Sequence, residues 1–396
     1  MMLRNHCHRL ALSARLVAAL LAALPIASHQ RAHAQASGDP TAAAHTHAAE
    51  RAIEFPDTPD YLSLTCDFHT HTVFSDGSVW PTIRVQEALR DNLDCIAITE
   101  HIEYQPHRDD IPHPDRNRAF DIATRAAANS ELIVLLGSEI TRSMPPGHSN
   151  AIFLTNANAL LVDDVRAAFE AAGSQGAFTF WNHPNWTAQR KDGIARLEPL
   201  HESLIADGLL SGIEVVNEHT YSREALQIAL DHDLAIIGTS DVHGIVDWDY
   251  HVPEGGHRPV TIVLAAARSA EGIRQALAER RTVVWHRNML IGREAHVMPV
   301  VHASIRVTRA YYPGDTSVLR VEIENVSDAE FVLRNTSPYS FHKQGDLIML
   351  PPHHTTVLDV KTLELLTGVR MTFEMLSVIT APGTHPVLEL RVPVGE

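Results

Sequence analysis

Cysteine is scarce in this chain, with three residues in 396. Cys7 lies in an N-terminal segment that we expect to be removed. Cys66 and Cys95 fall on two predicted strands, and the alternation of side chains along each strand predicts that they point in opposite directions. This arrangement excludes a disulfide between them, so we expect two buried free thiols.

Positive charge is also in short supply. Lys and Arg total 32 against 48 Asp and Glu, which gives a formal net charge of −16. Loss of residues 1–34, with their four arginines and no acidic residue, would leave −20. Because polynucleotides are bound through many Lys and Arg contacts, such a chain is not expected to bind them. A small anionic substrate remains compatible, since metal ions reverse the sign of the charge locally.

Long apolar runs are missing except near the N-terminus. Leu16–Ile26 is apolar, basic residues precede it, and Ala32-His33-Ala34 follows as a small-x-small cleavage site. The pattern predicts a signal peptide over 1–34 and a periplasmic or secreted protein; the alternative is a misassigned start before a cytosolic enzyme. The run is too short to cross a bilayer, and no membrane span is expected elsewhere. Residues 35–58, rich in Ala, His, Thr and Pro, are predicted to be a mobile linker.

The rest of the chain divides into two parts of different character. Residues 59–291 alternate short β-rich runs with amphipathic segments, which predicts βα units and a parallel sheet. Seven or eight such units have the size of a closed α/β barrel. Residues 292–396 have short alternating runs separated by turn residues, which predicts a small all-β sandwich.

His and carboxylate residues follow the apolar runs of the first part, in seven short blocks. The blocks are Asp67–His71, Ser75–Gly77, Thr99–His101, Ser138–Ile140, Gly147–Ser149, Asn182–Pro184 and Ser240–His243. Only a ring of strands would bring these ends together, at the face where barrel active sites are built. Imidazole and carboxylate without thiolate suit Zn, Mn or Fe(II). Hydrolysis with several divalent ions is therefore the predicted chemistry.

The blocks resemble the motifs of the PHP family, named for polymerase and histidinol phosphatase. Asp67–His71 with Ser75–Gly77 is similar to the first motif, Thr99–His101 is similar to the second, and the later blocks match in order and spacing. Three further sequence segments are similar to those of a secreted branch of bacterial phosphodiesterases that act on small organophosphate diesters. These segments are Thr99–Tyr104, Met144–His148 and Trp181–Trp186.

This resemblance implies a distorted (β/α)7 barrel with two or three divalent ions. The first ion would take His69, His71, Glu139 and Asp241. The second would take His148 and His183, with Glu139 as a bridge. The third would take Asp76, His101 and His243. Asp67 would orient one of the histidines by accepting its other N–H, or would simply form hydrogen bonds at the strand end.

The implied reaction is in-line attack on phosphorus by a metal-bridging hydroxide, with Glu139 and Asp241 holding the catalytic ions. Arg142 is a candidate phosphate ligand, with a surface salt bridge as the alternative. Tyr104 could donate to the leaving group, and His219 could be a general acid; a packed Tyr and a structural His are the alternatives. Trp181 and Trp186 would wall the pocket or fill it.

Hydrolysis of small phosphate diesters is the predicted function. A phosphomonoesterase of the same family is the first alternative. A hydrolase of carboxylic esters or amides, and a metal-binding interaction protein, are two others. The sequence does not distinguish Mn, Zn and Fe, nor one oligomeric state from another.

Overall fold

The computed structural model describes residues 52–395. The predicted signal peptide, and the predicted linker as far as residue 51, lie outside the described residues. Residues 53–58, which the sequence places in the linker, lie against the folded unit: Ile53 is buried and its N–H donates to the carbonyl of Asp91 at 2.9 Å. The domain limits at 59, 291 and 292 stay predictions. Among residues 52–395, no helix has the length and apolar content that a membrane crossing requires.

The first part of the chain has eleven strands and seven α-helices within the described range. The strands are β1 (Leu62–Asp67), β2 (Cys95–Ile98), β3 (Ile133–Ile140), β4 (Ser149–Ile152), β5 (Phe178–Trp181), β6 (Gly212–Asn217), β7 (Thr220–Tyr221), β8 (Ala235–Thr239), β9 (Val260–Ala265), β10 (Thr282–His286) and β11 (Met289–Gly292). The helices are α1 (Pro81–Arg90), α2 (Arg118–Ala127), α3 (Val165–Gly173), α4 (Pro199–Ala206), α5 (Arg223–Asp231), α6 (Val246–Asp249) and α7 (Ala270–Ala278). Two short 3₁₀ segments cover Ala157–Leu160 and Val252–Glu254.

Local chemistry explains where several of the helices begin. Helix α1 begins at a proline, whose missing N–H and fixed φ suit the first helical position. Asp164, Ser222 and Ser269 precede α3, α5 and α7, and each side chain accepts a hydrogen bond from the first turn. Each of these three helices buries an apolar face, which packs it onto the sheet.

Seven strands form a curved sheet in the order β1-β2-β3-β4-β5-β6-β8. The sheet is mixed rather than all parallel, because β4 runs antiparallel to both β3 and β5. Its two sides meet at β8. The Thr261 hydroxyl on β9 accepts from the N–H of Gly238 and donates to its carbonyl, at 3.0 and 2.8 Å. Beyond β1 the N–H of His71 donates to the carbonyl of Val242 at 3.1 Å. The predicted distorted seven-stranded barrel is confirmed.

A glycine permits this closure. A Cβ atom on Gly238 would lie 2.2 Å from Cγ1 of Val284 on β10, which is closer than real atoms approach. Strand β8 therefore packs against β10 only because residue 238 has no side chain.

The C-terminal part is a sandwich of two four-stranded antiparallel sheets. Helix α8 (Glu294–Ser304) leads into it, and its eight strands are β12 (Ile305–Tyr311), β13 (Val318–Asn325), β14 (Phe331–Asn335), β15 (Ser340–Phe341), β16 (Leu347–Leu350), β17 (His354–Lys361), β18 (Gly368–Met375) and β20 (Val387–Pro393). A ninth strand of this part, β19 (Val378–Ile379), lies outside both sheets. The sheets have the orders β12-β13-β17-β15 and β16-β14-β18-β20. Alternate residues of β13 and β18 are buried, which fills the space between the sheets.

The barrel and the sandwich are joined by backbone pairing and by a shared core. Strand β19 pairs in parallel with β11, so the C-terminal part adds a strand to the edge of the first sheet. Apolar residues of both parts, such as Val283, Val301 and Val360, belong to one continuous buried cluster. The barrel is therefore supported by the sandwich.

The cysteines are free and buried, as expected, but their predicted orientation is wrong. Cys66 and Cys95 are register partners on the parallel strands β1 and β2. Their thiols pack together with Leu64 and Phe68 in one apolar cluster. Register partners on neighbouring strands face the same side of a sheet, and the parity count along each strand missed this because it ignored the register.

Candidate metal centre

The blocks identified in the sequence converge at one end of the barrel. His69 and His71 follow β1, His101 follows β2, His183 follows β5, and Asp241 and His243 follow β8. Glu139 lies near the end of β3, and His148 directly precedes β4. Because β4 is antiparallel, its beginning lies at the same edge as the ends of the other strands. The barrel thus brings all nine predicted ligands to one place.

The tightest group is formed by two imidazoles and two carboxylates. Nε2 of His69 and Nε2 of His71 each lie 3.1 Å from Oδ1 of Asp241. The same two nitrogens lie 3.8 and 3.7 Å from the carboxylate oxygens of Glu139. Donor atoms that surround one cation with bonds of about 2.1 Å are separated by roughly 3 to 3.5 Å. The distances to Asp241 lie within this range and those to Glu139 slightly exceed it, so small movements would place all four side chains around a single ion.

Several of these atoms are buried without a hydrogen-bond partner of good geometry. They are His69 Nε2, His71 Nε2, Asp76 Oδ1, Glu139 Oε2, His183 Nδ1 and Asp241 Oδ1. A buried polar atom without a partner costs about 1 to 3 kcal/mol, so six at one place require an explanation. Divalent cations would satisfy five of these atoms, and the residues present fit such ions; His183 faces the carboxylates with Nε2, so its Nδ1 is not explained in this way.

Glu139 is the centre of a second group. Its Oε1 lies 2.9 Å from Nδ1 of His148 and 3.4 Å from Nε2 of His183. Its Oε2 lies 2.5 Å from Nδ1 of His101. A carboxylate in contact with donors on both sides is suited to bridging two cations.

A third group surrounds Asp76. Oδ2 of Asp76 lies 3.3 Å from Nε2 of His101, and Oδ1 lies 3.1 Å from Nε2 of His243. His71 joins this group as well, with its ring stacked on that of His243 at 4.3 Å. His71 and His101 each lie in two groups, so the donors are shared more widely than in the three sets implied by the resemblance. The structure contains several His, Asp and Glu clusters that could hold divalent metals.

The electrostatics of the cluster favour anionic carboxylates. Burial alone would raise the pKa of Glu139, but contacts with His101, His148 and His183 hold it well below its usual range. Asp241 behaves in the same way beside His69 and His71. Burial, together with neighbouring His243 and His101, lowers the pKa of His71 to about 3. Ionised carboxylates and a neutral His71 are the states that bind metal ions. The same carboxylates raise the pKa values of other imidazoles, so metal ions would displace protons from His69, His101, His183 and His243.

Glu214, which was not among the predicted site residues, supports the cluster from β6. Its carboxylate accepts from Nδ1 of His69 at 2.8 Å and from the backbone N–H of His183 at 2.6 Å. It also accepts from Thr239 and Asn217, so it is fully used. Fixing His69 through Nδ1 leaves Nε2 directed at the cluster. The available signal was an acidic residue inside the otherwise apolar run of β6.

Asp67 does not orient a histidine ring. Its carboxylate accepts from the N–H of Ser240 at 3.1 Å and from the Ser240 hydroxyl at 2.5 Å. It also pairs with the buried guanidinium of Arg258 at 3.2 Å. The alternative interpretation, a hydrogen-bonding residue at the strand end, is the one that the geometry matches.

Three non-glycine residues at the centre have positive φ. They are His183 at 29°, Glu218 at 49° and Asp241 at 50°. Left-handed backbone costs a residue with a Cβ atom roughly 1 to 2 kcal/mol. Such residues concentrate where function fixes the direction of a side chain, as it would for two predicted ligands.

A cavity of about 230 Å³ opens onto the cluster. Tyr104 and Trp186 stand half-exposed at its mouth. The Trp186 ring lies 5.2 Å from that of His183, and the Tyr104 ring lies 5.8 Å from that of His101. Trp181, by contrast, is buried against His201 at 4.1 Å between ring centroids and fills the interior.

Arg142 does not reach the cavity, contrary to the prediction. Nε of its guanidinium pairs with Glu103 at 2.8 Å, and the other nitrogens donate to the carbonyls of Asp163 and Val162. The prediction relied on the proximity of Arg142 to Glu139 in the sequence. The chain leaves β3 after Ile140, and the Arg142 side chain turns towards the loop before α3. Arg142 holds that loop through these hydrogen bonds, and it does not face the site where phosphate would bind.

His219 is also absent from the lining of this cavity. Its ring packs against Tyr250, 5.1 Å away, in an adjoining groove. Burial, followed by the charge of Arg287, lowers its pKa. The predicted role as a general acid at the centre does not agree with this position.

A barrel with a cluster of imidazoles and carboxylates at the strand ends is typical of metallohydrolases. Comparisons with known proteins identify the family. A crystal structure from Bacteroides vulgatus, of a two-domain protein containing a predicted PHP-like metal-dependent phosphoesterase, is 40% identical to this chain. The match covers 86% of this chain and 98% of that one, with a TM-score of 0.81. This chain belongs to the family of PHP-like metal-dependent phosphoesterases.

Two further matches are partial. The family model DUF5001, described as an Ig-like domain, matches residues 305–391, in agreement with the sandwich. An uncharacterized protein of Methanocaldococcus jannaschii is 33% identical over 85 residues, which is 20% of this chain and 34% of that protein. The chain thus spans about a third of the length of this curated relative.

Proposed function

We propose that this protein hydrolyses small phosphate diesters. The observation that carries the proposal is that the donor cluster is open on two sides. On one side the cavity mouth is flanked by the aromatic rings of Tyr104 and Trp186. On the other, Glu218, Asp241 and His243 line both the cavity and a second groove. A phosphoryl group at the cluster has room for an ester arm in each direction.

The charge of the cavity supports a diester over a monoester. Within the described part of the chain, its lining includes neither Lys nor Arg. A monoester dianion gains more from a basic clamp than a diester monoanion does. The half-exposed rings of Tyr104 and Trp186 give apolar contact to an ester arm instead.

Each residue then has a defined task. Divalent ions, when bound, supply Lewis-acid activation and a water of lowered pKa. Glu139 and Asp241 provide the negative charge that holds such ions, and the imidazoles complete the donor set. Glu214 fixes His69, while Tyr104 presents its hydroxyl at the mouth and donates to a phosphoryl or leaving-group oxygen. A donor set of imidazole and carboxylate oxygens suits Mn, Zn or Fe(II).

The test compares three chromogenic substrates under the same metal and pH. They are methyl p-nitrophenyl phosphate, p-nitrophenyl phosphate and p-nitrophenyl acetate. We expect the highest kcat/KM for the diester. A tenfold or greater preference for the monoester would overturn the proposal, and turnover of the acetate alone would indicate a carboxylic ester hydrolase.

We also propose that the protein is exported and that its mature form begins after Ala34. The support is the basic, apolar and small-residue order of residues 1–34. The intact mass of protein recovered from the periplasm or medium is the test. A mass that includes residues 1–34 would contradict the proposal.

A further inference from the structure

A second cavity, separate from the candidate metal centre, is joined to it by a groove. The groove shares Glu218, Asp241 and His243 with the central cavity. It shares His219 and Tyr250 with the second cavity, which measures about 370 Å³. The surface is therefore continuous from the cluster to the far end.

The far end carries a positive charge. Arg287 is exposed, and its guanidinium forms no ion pair within residues 52–395. It is close enough to His219 and His286 that its charge adds to burial in lowering their pKa values, that of His286 to about 3. The imidazoles of His219 and His286 are therefore neutral near pH 7, whereas the guanidinium of Arg287 carries a full positive charge in the lining of this cavity.

The backbone holds Arg287 in place at some cost. Arg287 and Asn288 form the two-residue turn between β10 and β11, with φ of 45° and 63°. This turn favours Asn and Gly, and an arginine there costs roughly 1 to 2 kcal/mol. Within residues 52–395 the guanidinium forms no hydrogen bond and no ion pair, which leaves it available to a ligand in the cavity.

The route to Arg287 presents hydrogen-bond acceptors. Glu218 and Asp249 line the groove with carboxylates. In the second cavity, Nδ1 of His257 must donate to the Arg258 carbonyl at 2.9 Å, because a carbonyl only accepts. The other nitrogen of His257, Nε2, is buried, and the ring stacks on Trp285 at 3.4 Å between centroids, so this atom lies out of reach of a ligand. Carboxylates accept hydrogen bonds, so a ligand segment lying along Glu218 and Asp249 has to donate them, as hydroxyl groups do.

We propose that one ester arm of the substrate is a hydroxylated chain that runs along this groove and ends in an anionic group bound by Arg287. This inference rests on the proposed diesterase activity and specifies its substrate class. The hydroxyl groups donate to Glu218 and Asp249. The acid group accepts from the guanidinium, whose planar fork matches carboxylate or phosphate.

The test uses a matched pair of p-nitrophenyl phosphodiesters. Their second arm is a six-carbon polyhydroxylated chain that ends in either a carboxylate or a carboxamide of the same size. We expect a kcat/KM about tenfold higher for the acid, mainly through KM, as one charge-assisted contact at a partly exposed site would give. Arg287→Gln should reduce that preference to within about twofold and leave methyl p-nitrophenyl phosphate unchanged. Arg370→Gln, the same charge change on the sandwich, should leave all three rates unchanged.

Equal kcat/KM for acid and amide in the unaltered protein, or a preference that survives in Arg287→Gln, would overturn the inference while the diesterase stands. Failure to turn over methyl p-nitrophenyl phosphate would overturn the proposed function and the inference with it. Free gluconate distinguishes an anionic group that belongs to the substrate from a separate anionic effector. As a fragment of the substrate it should compete with the acid diester and leave the methyl diester unchanged. A change in turnover of the methyl diester would indicate a separate effector site and contradict the proposal.

Discussion

A buried polar site in the Ig-like sandwich and the metal centre at the end of the barrel are satisfied in opposite ways. In the sandwich, the buried Asn325 donates to the carbonyls of Ala329, Leu350 and Pro351 and accepts from Ser327. Every hydrogen-bonding group of that side chain is used. At the end of the barrel, Nε2 of His71 and Oδ1 of Asp241 are equally buried and have no such partner.

This difference separates stability from function. A satisfied network such as that of Asn325 holds loops and strands together and needs no ligand. Buried donors left without partners lower stability until something binds them. The strained backbone at His183 and Asp241 adds to this cost at the same place. The Asn325 network thus stabilises the folded chain, whereas the unpartnered donors of the metal centre lower its stability and are suited to binding.

The largest effect is expected at the centre of the donor cluster. Glu139→Gln removes the charge of the carboxylate that touches three imidazoles. We expect bound metal to fall together with diesterase activity, the latter about a thousandfold, because metal-ion catalysis contributes several kcal/mol. Metal analysis and kcat/KM are measured on the same sample, with Glu131→Gln, an exposed acid, as the control. Full activity with unchanged metal content would show that Glu139 is not a ligand.

The matching change in the sandwich should act on stability alone. Asn325→Ala leaves three carbonyls and two Ser327 donors without their partner, so we expect the free energy of unfolding to fall by about 3 kcal/mol. Activity per folded molecule should be unchanged. Urea unfolding measures the loss, with the exposed Thr316→Ala as the control. A loss below about 0.5 kcal/mol would remove the contrast between the two parts.

Glu214 tests the support behind the metal centre. Glu214→Gln keeps a group that can accept from Nδ1 of His69 but removes the charge. We expect metal affinity to fall by about ten- to a hundredfold, as for other partners of ligating histidines. Titration against a chelator of known affinity provides the measurement, and the exposed Glu202→Gln is the control. An unchanged affinity would confine the role of Glu214 to the fold.

Arg142→Ala tests whether the guanidinium holds the loop before α3 and does not bind phosphate. Arg142→Ala removes contacts to Glu103 and to the loop at Val162 and Asp163, so we expect a loss of about 1 kcal/mol in stability. Diester kcat/KM should stay within about twofold. A tenfold loss of diester turnover at unchanged stability would restore Arg142 as a phosphate ligand.

The smallest effect concerns the thiols. Burial, together with the neighbouring Cys95, raises the pKa of Cys66 well above its usual value, so its thiolate is scarce at pH 8. We expect no alkylation by iodoacetamide in the native protein and complete alkylation in urea. Rapid modification of the native protein would contradict the burial of both thiols.

Strand-end blocks were predictable because their meaning is local. His69, Glu139 and Asp241 each follow or end an apolar strand, and a barrel brings such ends together whatever the details of the loops. Glu214 was missed because one acid within a strand has no motif around it. Arg142 and His219 were misplaced because the direction of a loop side chain depends on tertiary contacts, here with Glu103 and Tyr250. The orientation of the thiols depended on the register between β1 and β2, which a single strand does not contain.

The binding of divalent cations by the buried donors without partners at the barrel end underlies the proposed activity. Its most direct test is the metal content of protein first stripped with a chelator and then reconstituted with excess Mn or Zn. We expect at least two ions per chain, with a higher Tm than the stripped protein because the ions satisfy buried donors. One ion or fewer per chain, with an unchanged Tm, would contradict the account.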